Sequence, residues 1–158
     1  MPKLPAKAAL ALAVALALGC TATPPPARPP TTFVIATELP NGRVEITIAP
    51  TYALGSTVTI PVAIVATRGS ITGPLEARVM ASGINEGGAP AEVLVRELTV
   101  SAITVTAGSR RSMTLSWDGR DAKGALVPAD AYSLAVAVRS DDGGTSRTLT
   151  AGATLELR

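Results

Sequence analysis

From Phe33 onward, apolar residues recur at every second position in short runs broken by Gly, Pro, Asn and Asp. Period two is the spacing of a strand with one face buried. Phe33 to Glu38 predicts a first strand. Pro40-Asn41-Gly42 predicts the turn after it, because Asn-Gly readily supplies positive φ. Arg43 to Ala49 follows with Val44, Ile46 and Ile48 on one face. Ser56 to Ala66 alternates through Val58, Ile60, Val62 and Ile64. Pro61 in that run lacks an amide hydrogen, which points to an edge strand or a bulge. Leu75 to Ala81 predicts the next strand, and the Gly-rich Ser82 to Pro90 a loop. Val93 to Val105 reads as one bent strand or two. Met113, Leu115 and Trp117 alternate, as do Leu134, Val136 and Val138. Asp141-Asp142-Gly143-Gly144 predicts a turn, and Arg147 to Leu157 a closing strand. No stretch carries a helical stripe.

Seven to nine short strands at this spacing predict an all-β chain, folded as an immunoglobulin-like β-sandwich. Residues 33–158 form one domain of ordinary size, able to bury a core without disulfides. Hydrophobic residues make up 47% of the chain but aromatics only 3%, so the core must be Val, Ile, Leu and Ala.

Charge and missing residue types narrow the function. The net charge is +2 over 158 residues, but Lys3 and Lys7 precede the domain, and beyond them twelve basic residues balance twelve acidic ones. A neutral chain is a poor electrostatic binder of nucleic acid, which needs a basic face. Arg110-Arg111, the one adjacent basic pair, reads as a solvated turn. There is no His, hence no usual general base and no commonest transition-metal ligand. The single cysteine, Cys20, rules out an intramolecular disulfide.

The first nineteen residues read as a signal peptide. Lys3 and Lys7 give a positive start, Ala8 to Leu18 an apolar run of eleven residues, and Gly19 a small residue before Cys20. Eleven residues are too few to span a bilayer, which takes about 20. An ordinary secretory signal with an incidental cysteine is the competing reading. Leu16-Ala17-Leu18-Gly19-Cys20 resembles the bacterial lipobox, with Ala17 and Leu18 exchanged relative to its commonest form. That resemblance implies diacylglycerol on the Cys20 sulfur, cleavage before Cys20 and acylation, such as palmitate, of the new amino terminus. With Thr21 next, it implies an outer-membrane destination in a Gram-negative cell. Residues 20–32 then form the lipidated cysteine and a linker. Five prolines between Thr21 and Thr32 favour a polyproline II spacer, reaching about 35 Å at ~3.1 Å per residue. A ligand for a proline-recognising module is the alternative.

The most specific stretch is Trp117-Asp118-Gly119-Arg120-Asp121-Ala122-Lys123-Gly124, then Val127-Pro128-Ala129-Asp130-Ala131-Tyr132. From the residues alone, Trp117 ends an alternating strand and should bury its ring in an aliphatic core. Asp118-Gly119 opens a tight turn, and Tyr132 starts the next strand with a hydroxyl able to cap a loop. The stretch resembles the W-D-G-x-D-x-x-G and V-P-x-G-x-Y pattern of the FlgD Ig-like domain family. Val95-Arg96-Glu97-Leu98 and Ala107-Gly108 match that family's upstream strand and turn, so the resemblance covers roughly residues 75–140. It implies that Trp117, Asp118, Gly119, Asp121, Gly124, Pro128 and Tyr132 are structural. Asp130 stands where the family has Gly, and Asp tolerates left-handed backbone better than most residues. A cation site on Asp118, Asp121 and Asp130 is the competing reading, but their spacing departs from that of a calcium loop.

Three function classes follow. The first is a membrane-anchored lipoprotein of the cell envelope with a non-catalytic Ig-like domain that binds a protein or other envelope partner. It predicts no cofactor, no metal, no nucleic acid and no small-molecule substrate. The second is a proteinase inhibitor, because Gly108 through Trp117 to Tyr132 also resembles the BsuPI family of small β-sandwich inhibitors; the loop from Gly83 to Pro90 would meet the protease. The third, an enzyme, would need Ser-Lys or paired carboxylates, and Lys123 is the one lysine after the leader, with no Ser-x-x-Lys motif.

Overall fold

The computed structural model describes residues 31–142 and 145–158. The leader, Cys20 and the prolines of the linker lie outside the described residues, as do Gly143 and Gly144 of the last turn. Within these described residues eight strands run in order: β1 (Phe33–Leu39), β2 (Gly42–Ile48), β3 (Val58–Ala66), β4 (Ser70–Ile84), β5 (Pro90–Val105), β6 (Arg110–Trp117), β7 (Ala131–Asp142) and β8 (Thr145–Glu156). They form two antiparallel four-stranded sheets, ordered β1-β2-β3-β6 and β5-β4-β7-β8. If β2 to β8 are taken as strands A to G, then A, B and E share one sheet and C, F and G the other. That is an immunoglobulin-like sandwich in which the fourth strand has crossed to lie beside C, with β1 added at the edge.

Alternation puts one residue in two on the inner faces. Val44 and Ile46, then Val58, Ile60, Val62 and Ile64, then Leu115 and Trp117 are buried from the first sheet. Leu75, Ala77 and Val79, then Leu134, Val136 and Val138, then Ala151, Ala153 and Leu155 meet them from the second. Burial of each large aliphatic contributes about 1.5–3 kcal/mol relative to exposure. The aliphatic core expected from composition is therefore present, with Trp117 and Tyr132 as its aromatic members.

Several local expectations are corrected. The first hairpin pairs Leu39 with Gly42, so the loop is Pro40-Asn41 and neither Asn41 nor Gly42 has positive φ. Gly42 is needed for a different reason. A Cβ there would lie 1.8 Å from the Val65 carbonyl oxygen. The Asn41 carbonyl accepts the Thr67 and Arg68 amides at 2.7 and 3.1 Å, drawing the two chains together. Pro61 lies in β3, between β2 and β6, at neither an edge nor a bulge, and pairs with Thr114. The β2 ladder ends at Val62, so a missing amide at Pro61 costs no bond on that side.

β4 and β5 are longer than the pattern predicts. β4 starts at Ser70 and passes through Gly73-Pro74 by a register shift. It continues to Ile84, so the Ser82–Pro90 loop shrinks to a turn over Asn85–Ala89. Val93 to Val105 belongs to one strand, with a second register shift opposite Val79 and Met80. Arg110 and Arg111 open β6 and are not a turn; Arg110 is ion-paired to Glu45 at 2.7 Å. The preceding turn does use its glycine: Gly108 has φ 76° and donates to Ala66 O at 2.8 Å.

Candidate functional site

The sequence-predicted motif lies where β6 crosses to β7 at one end of the sandwich. Trp117, the last residue of β6, is 1% exposed. Its ring meets Tyr132 edge-on, with centroids 5.3 Å apart and planes at 67°. The indole Nε1–H donates to the Arg120 carbonyl at 2.9 Å, tying the buried ring to the turn that follows it. Tyr132 is the second residue of β7, two before the core residue Leu134, and its hydroxyl donates to the Pro128 carbonyl at 2.8 Å. A tyrosine near the start of strand F, here β7, bonded back to the chain just upstream, is the tyrosine corner of immunoglobulin-like sandwiches. Burial, then the Asp130 charge, pushes the Tyr132 hydroxyl above its ordinary pKa.

Between these two rings the chain makes a small hairpin, bridged from Arg120 to Leu126. Gly119 (φ 68°) and Gly124 (φ 84°) supply its left-handed positions. The three carboxylates each hold backbone. Asp118 accepts the Arg120 amide at 3.1 Å, and Asp130 accepts the Ala131 amide at 2.7 Å. Asp121 accepts two, from Lys123 at 2.9 Å and Ala125 at 2.8 Å. Asp130 does this without positive φ, so the left-handed turn expected there does not form. Among the described residues no group of three or more His, Cys, Asp or Glu is gathered as a metal site. Lys123 is exposed at the tip of the hairpin.

Two features escaped sequence reasoning. Val95 and Arg96 of β5 clamp the hairpin from the other sheet: Ala122 N donates to Val95 O at 2.9 Å, and the Arg96 guanidinium donates to Asp121 O at 2.8 Å. The register shift in β5 falls at these residues and aims Arg96 at the loop. The β4–β5 turn also repeats the hairpin's bonding. Asn85 Oδ1 accepts from Gly87 and Ala89 as Asp121 Oδ1 does from Lys123 and Ala125. Gly88 and Gly124 take the same left-handed place. The shared string, Asn/Asp-x-x-Gly-Ala, was visible in the sequence.

The large exposed hydrophobics gather at one end of the sandwich, whereas charged residues lie at both. At the end bearing the Pro40-Asn41 turn, Arg43 and Arg110 both bond Glu45, at 2.6 and 2.7 Å. The Arg43 bond holds the Glu45 carboxyl below its usual range against the opposing effect of burial. Its contribution to stability is therefore present above the unfolded carboxylate value and fades as pH falls through the lower folded one. Arg68, Arg111 and Arg139 are exposed at or near the same end. The other end holds the Asn85–Ala89 turn, the motif hairpin and the start of β1. Every large exposed hydrophobic among the described residues lies at or near it: Phe33 and Val34 on β1, Leu54, Ile84, Val93 and Leu94 beside the turn, and Leu126 in the hairpin.

No protein-family model and no curated protein matches the chain. Among solved structures it is similar to the alkylpurine DNA glycosylase AlkC of Pseudomonas fluorescens, bound to DNA containing an abasic site analog. The TM-score is 0.46 at 16% identity, over 68% of this chain and 27% of that one. It is also similar to a β-glucosidase from Listeria innocua in complex with isofagomine, with a TM-score of 0.40 at 14% identity over 80% of this chain and 16% of that one. The chain thus spans about a quarter or less of either protein, and neither likeness bears on what it does.

Proposed function

We propose that this chain is an exported lipoprotein, lipidated on Cys20. Its Ig-like sandwich serves the cell envelope as a non-catalytic binding or structural domain, facing the periplasm or the surface, at the outer membrane in a Gram-negative cell. One observation carries the reading: the chain's only cysteine follows a basic start, an eleven-residue apolar run and a small residue. Two or three acyl chains give lasting attachment, since each buried methylene contributes about 0.8 kcal/mol. The non-catalytic part is supported by the absence of His from the sequence and by three motif carboxylates that hold backbone amides. The resemblance to the FlgD Ig-like family agrees with a structural motif, because the motif residues brace the β6–β7 crossing.

The inhibitor reading gains nothing from the geometry. The loop that would meet a protease is a tight turn, with Asn85–Ala89 folded on itself by four hydrogen bonds. The test is Cys20→Ala in cells fed labelled palmitate. Label and membrane retention should both disappear, and a variant that stays on membranes without label defeats the proposal.

A further inference from the structure

The apolar end of the sandwich is also the end at which the chain arrives from its amino terminus. Thr31 and Thr32 lead into β1 at Phe33, which is 53% exposed and pairs with Ile48, next to the loop that carries Leu54. Leu126 reaches the same loop, within 4.0 Å of where a Cβ on Gly55 would stand. Ile84, the most exposed of the set at 73%, closes the opposite side beside the Asn85–Ala89 turn. Single exposed apolar residues need no explanation. Their confinement to one end does.

We infer that this end rests on the surface of the bilayer holding the anchor, with Phe33, Leu54, Ile84 and Leu126 seated in the lipid interface. The inference rests on the lipidated Cys20 of the proposed function. Ten residues separate that cysteine from Thr31, so even a fully extended linker, at ~3.6 Å per residue, keeps Thr31 within about 40 Å of the membrane. A short tether keeps the end at high effective concentration over the lipid, so side chains that bind weakly one at a time act together. The charges name the kind of membrane. Glu86, Glu92, Asp118, Asp121, Asp130 and Glu156 outnumber Arg96, Arg120, Lys123 and Arg158 at this end. An anionic surface would repel it, whereas a zwitterionic one would not.

Depth measurement on the full lipidated chain tests this. The chain is reconstituted in phosphatidylcholine vesicles with a fluorophore on a new cysteine, either Leu126→Cys at the apolar end or Ser112→Cys near the far end of β6. Both sites are exposed, and circular dichroism confirms that each variant is folded. The label at 126 should sit ~5–10 Å into the headgroup–acyl boundary, shift to the blue and be quenched by spin-labelled lipid; the label at 112 should stay aqueous. Anionic lipid should weaken the quenching at 126. Two aqueous labels, or two equally quenched ones, overturn the inference. Mass spectrometry of the same sample reads the acyl groups on Cys20. Acyl mass with an aqueous label at 126 defeats this inference and leaves the anchor standing, whereas no acyl mass defeats both.

Discussion

Replacing Trp117 by Ala is the sharpest perturbation of the motif. The side chain is 1% exposed, contacts Tyr132 edge-on at 5.3 Å and holds the Arg120 carbonyl at 2.9 Å. Truncating a buried aromatic costs about 3–5 kcal/mol, because transfer energy is lost and a cavity remains. That is a large part of a domain stability of about 5–15 kcal/mol. Within the loss, the edge-on ring pair accounts for about 0.5–1.5 kcal/mol, and the hydrogen bond for about 1 kcal/mol. Trp117→Phe should fall between wild type and Ala, since it keeps a ring and loses the donor. A double-mutant cycle with Tyr132→Ala should return a coupling near the ring-pair figure. The assay is urea unfolding followed by far-ultraviolet circular dichroism, because the variant removes the chain's only tryptophan. A loss under about 1 kcal/mol for Trp117→Ala would refute the reasoning: the ring could not then be part of the core.

Other consequences can be checked in the same assay. Gly42→Ala should destabilise by about 1–3 kcal/mol or more, because its Cβ would meet the Val65 carbonyl at 1.8 Å. Gly152→Ala, with only an ordinary 3.7 Å contact, should instead stabilise by about 0.4–1 kcal/mol; equal effects at the two sites would contradict the close approach at Gly42. Asp121→Ala should cost about 1–2 kcal/mol through its two lost amide bonds, and Asp121→Asn should recover most of it, as Asn85 fills the same role in the twin turn. The raised Tyr132 pKa gives stability that is complete below the unfolded value of about 10 and is lost as pH rises beyond it. Tyr132→Phe should flatten that alkaline fall, and an unchanged slope would show that the hydroxyl is not coupled to folding.

The inner faces were legible because a half-buried sheet writes its burial directly into the alternation. Val58 to Ile64 and Leu134 to Val138 read correctly for that reason; Trp117 is buried at the end of its alternating strand, and the Tyr132 hydroxyl bonds Pro128, a near neighbour in sequence. What failed depends on partners distant in the chain. Gly42 looked like a turn glycine, but it answers to Val65 across the sheet. Pro61 looked like an edge residue, but β2 simply stops pairing beside it. Ser82-Gly83 looked like the start of a loop, yet the pairing of Gly83 with Ala91 carries β4 through it. The Arg96 clamp joins two sheets; Val95-Arg96 stood out through the resemblance, but no local signal showed which loop it would hold. The repeated Asn/Asp-x-x-Gly-Ala string did leave one, in the form of a side-chain acceptor, a left-handed glycine and a fixed spacing.

The account's central claim is chemical and lies at Cys20. Intact-mass and fragment spectra of the protein purified from its own membranes address it directly. They should show a chain beginning at Cys20, carrying diacylglycerol on sulfur and an acyl group on the new amino terminus. A mature chain starting elsewhere, or a Cys20 with a free thiol, would contradict it.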